Sequence, residues 1–181
     1  MLVVFGFALL VLAAAVVVLF AMIGELAARV PAAETGAGWV RPTDEARLGS
    51  VPEVWPAELA HAPDRDTYVL LVLSTVCNSC KAVAAQLVEG QADWDGVGIV
   101  VSTASRRNGD DFVAERRLGG FVSYVDESGS WSREQLGVES SPTAVVLRRG
   151  RVVAAYAFSD LALLRSEVDD RSRPSEAKEA V

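Results

Sequence analysis

Two cysteines, Cys77 and Cys80, and one histidine, His61, are all that this 181-residue chain offers in thiol and imidazole ligands. A structural zinc site takes four ligands, so none is expected within one chain. For metal, the thiol pair leaves open only copper(I) or a site shared between chains. Basic charge is also short, with 17 Lys and Arg against 24 Asp and Glu, a net charge of −7 and a pI near 4.8. Phosphate recognition needs a concentrated basic surface, and no nucleic-acid partner is expected. The pairs Arg106-Arg107, Arg116-Arg117 and Arg148-Arg149 lie dispersed among acids and read as solvated faces. No internal repeat is present, which excludes a solenoid.

Residues 2–23 contain no charged side chain. As a helix rising 1.5 Å per residue they would span about 33 Å, enough for a bilayer core, so residues 1–23 read as one transmembrane anchor. A cleaved secretory signal is the rival reading. It would want a basic leading region and a shorter apolar core of about 7–15 residues, whereas only Met1 precedes this one. Arg29 and Arg41 on the far side would favour a cytoplasmic domain, yet a domain of this size translocates regardless of so small a bias. The expectation is a single-pass plasma-membrane protein with its domain outside the cytoplasm.

Residues 24–63, rich in Pro, Gly, Ala and acids, carry no sustained period and read as linker and lead-in. Within them Trp39 suits the lipid headgroups and Trp55 a cap on the domain core. His61 reads as an isolated loop residue. From residue 64 to 168 the pattern is regular: an apolar run Tyr68–Ser74, a helical spacing over 79–89, a β-branched run over 97–102 and a short helix over 110–117. A strand over 121–125 and a helical turn over 131–136 follow. Two β-branched runs joined by Arg149-Gly150-Arg151 predict an antiparallel hairpin, and 161–168 a last amphipathic helix. Residues 169–181 form a charged tail read as disordered. This order implies an α/β fold, a mixed sheet with helices on both faces.

The chemistry concentrates at Cys77-Asn78-Ser79-Cys80, directly after a buried strand and at the start of a helix. Two thiols at this spacing can close a small disulfide. The first sits where unpaired backbone N–H groups and the helix dipole favour its anionic form. The plain alternative is that both sulfurs are core packing.

This order, with CxxC opening the first core helix and Ser141-Pro142-Thr143 just ahead of the hairpin, resembles the thioredoxin-like superfamily over residues 67–168. The N-terminal anchor, the Leu73-Ser74-Thr75-Val76-Cys77 approach and Lys81 look like membrane-anchored bacterial thiol-disulfide proteins of the TlpA/ResA and MauD type. The resemblance implies that Cys77 attacks and Cys80 resolves the mixed disulfide. It further implies a cis Ser141–Pro142 bond, and substrate contacts from Val76, Ser141, Pro142 and Thr143. The redox-active pair would be the sole cofactor. A protein thiol or disulfide would be the substrate, with a membrane or thioredoxin-type protein resetting the pair.

The chain departs from the thioredoxin pattern at three places. Val76 stands where Trp is usual, Asn78-Ser79 where Gly-Pro is usual, and Leu71 where a buried acid assists the resolving thiol. These departures favour a dedicated partner over general reduction, and keep open a non-catalytic thioredoxin-like interaction module at the membrane. A peroxidase site is disfavoured, since Leu70 occupies the position its motif gives to proline. Related pairs span about −270 to −120 mV, and Asn78-Ser79 selects neither end.

Overall fold

The computed structural model describes residues 38–90 and 96–172. The expected anchor over 1–23, the start of the linker and the end of the tail lie outside the described residues. Among the described residues no helix is long and apolar enough to cross a membrane.

Each apolar or β-branched run forms a strand, and a short strand in the lead-in joins them. These are β1 (Val40–Pro42), β2 (Tyr68–Ser74), β3 (Val97–Thr103), β4 (Val122–Glu127), β5 (Thr143–Arg148) and β6 (Arg151–Phe158). They make one mixed sheet in the order β1-β6-β5-β2-β3-β4. The β2–β3 and β3–β4 pairs are parallel, crossing over through α1 (Asn78–Glu89) and α2 (Arg106–Glu115), while β5 and β6 pair antiparallel as the hairpin predicts. A third helix, α3 (Leu161–Ser172), closes the chain order.

The sheet is buried on both faces, which is why β2 reads as continuous apolar sequence rather than alternation. Val69, Leu71 and Leu73 face one cluster, joined by Cys80, Val83 and Leu87 of α1, Phe112 of α2 and Leu164 of α3. Tyr68, Leu70 and Val72 face the other, which short elements cover: Leu59 and Ala62 from 3-10 turns, and Trp131 and Leu136 around the π-type turn Ser132–Leu136. Both faces thus carry helical elements, long on one and short on the other. Each fully buried Leu or Val contributes about 1.5–3 kcal/mol.

The lead-in is more structured than its composition suggests. Val40 to Pro42 pair with Phe158 to Tyr156, and the Trp39 N–H donates to Ser159 Oγ at 3.1 Å. Trp55 packs on Trp131 with ring centroids 5.9 Å apart, as a cap on the core. His61 is half-buried, not loose: its Nε2 lies 3.1 Å from the Tyr68 hydroxyl and its ring meets the Tyr68 ring edge-on. A three-residue strand and single-residue contacts leave no period to read, so composition alone gave a linker.

Two helices are longer than their apolar patterns. Helix α2 begins at Arg106, where the Ser105 Oγ accepts the Asn108 N–H at 3.4 Å. It lies so close to β4 that a Cβ on Gly109 would clash with the Val125 side chain. Helix α3 continues past Val168 to Ser172, drawing the first residues of the expected tail into the helix. The Asp126 carboxylate, fully buried, accepts the N–H groups of Trp131 and Ser132 at 3.0 and 2.9 Å and so anchors the π-type turn.

Candidate functional site

Strand β2 delivers the chain through Thr75 and Val76 to Cys77, whose N–H donates to the Ser74 carbonyl at 3.2 Å. Cys77 is the N-cap of α1, with extended backbone, and its Sγ accepts the Cys80 N–H at 3.2 Å. A cap sulfur therefore receives a backbone donor at the positive end of a 12-residue helix. Asn78 and Ser79 point to solvent, with Asn78 Oδ1 accepting from Lys81 Nζ at 3.3 Å.

Three residues on, the helix turns Cys80 inward to 0 % exposure, within the cluster that holds Leu71 and Val83. Cys77 stays half-buried at the surface, and neither cysteine is in a disulfide. The packing alternative thus describes Cys80 alone. Burial pushes the Cys80 thiol up to about 12, and the adjacent Cys77 sulfur adds to the rise. The Ser74 backbone and the Ser141 side chain act against it. Leu71 is 0 % exposed in the same cluster, so the position that would supply an acid supplies a methyl surface.

The loop before β5 brings Ser141 to the pair. The Cys77 thiol donates to the Ser141 carbonyl at 3.6 Å, and the Ser141–Pro142 peptide bond is cis. Pro142 and Thr143 are buried behind it. Thr143 Oγ1 donates to the Ser140 carbonyl at 3.0 Å and lies 3.2 Å from Ser140 Oγ. The structure therefore brings Cys80 and Ser141 to the Cys77 sulfur, with Pro142 and Thr143 following Ser141 along the chain.

Val76 is 86 % exposed beside Cys77. It borders an open groove of about 380 Å³ whose walls include Lys81, Asp111, Phe112 and Arg116. The Arg116 Nε there is buried and makes no hydrogen bond, while its guanidinium lies 5.9 Å from the Phe112 ring centroid.

Sequence reasoning missed Glu45. Its Oε2 accepts the Ser140 N–H at 3.2 Å and the Ser140 hydroxyl at 2.7 Å, pinning the loop from 95 residues away. The Arg47 N–H adds a bond to the Leu136 carbonyl at 2.8 Å. The chain passes so close that a Cβ on Gly137, already at φ +76°, would meet the Glu45 carbonyl at 2.8 Å. Nothing local in the sequence marks an acid in a lead-in as a loop clamp.

No family model matches the chain, and no curated protein matches it. Solved structures do. A DsbF homologue from Corynebacterium diphtheriae is 22 % identical with a TM-score of 0.52, over 79 % of this chain and 96 % of that one. A thioredoxin-class protein from Neisseria meningitidis is 16 % identical with a TM-score of 0.50, over 80 % of this chain and 93 % of that one. A secreted Mycobacterium tuberculosis disulfide oxidoreductase, homologous to Escherichia coli DsbE, is 23 % identical over 58 % of this chain and 81 % of that one, with a TM-score of 0.46. The fold is thioredoxin-like.

Proposed function

We propose that the protein is a thiol-disulfide oxidoreductase that exchanges disulfides with a dedicated protein partner through Cys77 and Cys80. The observation that carries this is the asymmetry of the pair, one sulfur half-exposed at a helix N-terminus and the other wholly buried behind it. Cys77 attacks the partner disulfide. Cys80 then attacks the Cys77 sulfur of the mixed disulfide and frees the partner. The pair itself is the redox group, and the reading calls for no other cofactor or metal.

Partner contact falls to Val76 and Ser141, whereas Pro142 and Thr143, expected as substrate contacts, are buried and instead support the loop behind Ser141. An extended partner segment would take the backbone beside Ser141, and Val76 gives an apolar contact next to the reacting sulfur. The groove past Val76 extends that surface. The charge-free run over 2–23 supports tethering to the plasma membrane, with the domain outside the cytoplasm and a second membrane or thioredoxin-type protein resetting the pair.

One observation favours a second reading, a non-catalytic interaction module at the membrane: Leu71 fills the place of an acid that would serve the resolving thiol. A single experiment separates the two. Cys80→Ala in the full chain leaves Cys77 unable to be released, so the oxidoreductase accumulates a partner linked through Cys77 that a reductant frees. Recovery of no such adduct, together with no dithiol reactivity in the unsubstituted chain, would establish the module instead.

A further inference from the structure

The groove that begins at Val76, the residue next to the reactive sulfur, has a cation without an acceptor in its wall. Arg116 caps the C-terminal end of α2, where its N–H donates to the Phe112 carbonyl at 3.0 Å and fixes the backbone. Its guanidinium lies 5.9 Å from the Phe112 ring centroid, while its Nε is buried and makes no hydrogen bond. A guanidinium held against a ring keeps its N–H donors, which lie in its own plane, for an acceptor. A buried donor left unpaired costs free energy that a bound acceptor would recover.

The acids of the groove do not meet that need. Asp111 faces Arg107, four residues earlier on α2, at 4.0 Å. Glu115 directly precedes Arg116, and consecutive helix positions do not face each other. Among the described residues neither acid forms an ion pair with Arg116. Lys81, from the first turn of α1, brings a second cation to the groove, its Nζ donating to the exposed Asn78 at 3.3 Å. Val76 and Phe112 add apolar surface. The chain as a whole carries a net charge of −7, so its long-range field repels an acidic segment, and any attraction to one has to be local.

We propose that this groove takes a carboxylate side chain of the partner, carried on the segment that bears the reacting disulfide, and that Arg116 is the residue that selects it. The inference rests on the oxidoreductase reading and adds the chemistry of its partner, an acidic residue close to the reacting cysteine. A carboxylate offers two oxygens to the guanidinium fork, a match that the Lys81 ammonium does not make. The contact bears on the first exchange. There the Cys77 thiolate forms a bond to one partner sulfur, the partner disulfide breaks, and the other sulfur leaves as a thiolate that takes a proton from solvent. The Cys77 sulfur is oxidised and the leaving sulfur reduced. Selection therefore shows in the rate of capture by Cys77, ahead of the attack by Cys80.

The test uses the reduced full chain and short alanine peptides whose central cysteine is carried as its 2-thiopyridyl disulfide, flanked on both sides by Glu, by Gln or by Lys. Attack by Cys77 binds the peptide sulfur and releases pyridine-2-thione, whose absorbance gives a second-order rate constant. The Glu peptide should react about tenfold faster than the Gln peptide, the worth of one hydrogen bond to a charged group, and the Lys peptide more slowly than either. Arg116→Gln should bring the Glu and Gln rates together. Arg116→Lys, which keeps the charge and loses the fork, should retain part of the preference. Arg148→Gln, an exposed position at the far end of β5 from Ser141, should leave it whole. Equal Glu and Gln rates in the unsubstituted chain, a preference that survives Arg116→Gln, or one lost as fully in Arg148→Gln would overturn the proposal. If no peptide releases thione from the unsubstituted chain, the redox reading itself fails, a result distinct from a loss of selectivity.

Discussion

The two sides of the cysteine pair are built from opposite materials. Toward α1 and β2, Cys80 lies in the apolar cluster that holds Leu71, Leu73, Val83 and Leu87. Toward the loop before β5, the neighbours are hydroxyls and carbonyls, from Ser74, Ser140, Ser141 and Thr143, tied to the lead-in by Glu45. The dry side keeps the second thiol neutral and in place. In the proposed exchange the polar side is the one that meets the partner. A thioredoxin-like fold that carries an acid on the dry side would be polar on both; here Leu71 keeps that side apolar.

The comparison breaks most sharply at the sulfurs. Cys77→Ala should abolish dithiol chemistry altogether, with alkylation of native protein finding Cys80 protected by its burial; rapid labelling of Cys80 in that variant would show the dry side to be open. On the same side, Leu71→Ala should cost about 2–5 kcal/mol in urea unfolding, as for a fully buried leucine. A much smaller loss would mean that the cluster around Cys80 relaxes to fill the space.

Alkaline titration sharpens the contrast further. Because the folded state favours the neutral Cys80 thiol, its contribution to stability is whole below about pH 9, where the unfolded thiol titrates, and is withdrawn as pH rises toward about 12. Reduced protein should therefore lose stability across that window, measured by urea midpoints, and Cys80→Ala should remove that component of the loss. On the polar side, Glu45→Ala should cost about 1 kcal/mol and weaken partner capture, with Glu45→Gln, which keeps an acceptor oxygen, recovering most of both. Smallest in stability is Val76→Ala, within about 0.5 kcal/mol since the side chain is exposed, yet it should reduce partner adduct formation.

The dry side was legible in the sequence, and of the polar side the Ser141-Pro142-Thr143 loop was, with its cis bond, while the groups that hold that loop were not. Tyr68–Ser74 followed by CxxC and a helical spacing leaves little choice of fold, since a continuous apolar strand must be covered on both faces. Leu71 shows directly that no acid is there. Glu45 could not be read, because a carboxylate 95 residues from its partner has no local pattern. A cavity beside that loop is likewise assembled from Ser74, Ser102, Ser128, Ser132, Ser140 and Ser141, and serines drawn from β2, β3, the turns after β4 and the loop before β5 carry no period. His61 was hidden for the same reason, its partner Tyr68 lying across a turn rather than along a helix face.

The most direct measurement equilibrates the protein in glutathione buffers of graded potential and follows both thiols by alkylation and intact mass. The account predicts that Cys77 and Cys80 disappear together in one two-electron transition of about 30 mV per decade, ending in an intramolecular disulfide two mass units lighter. Stable glutathione addition at Cys77 with Cys80 left as a thiol across the whole range would contradict it.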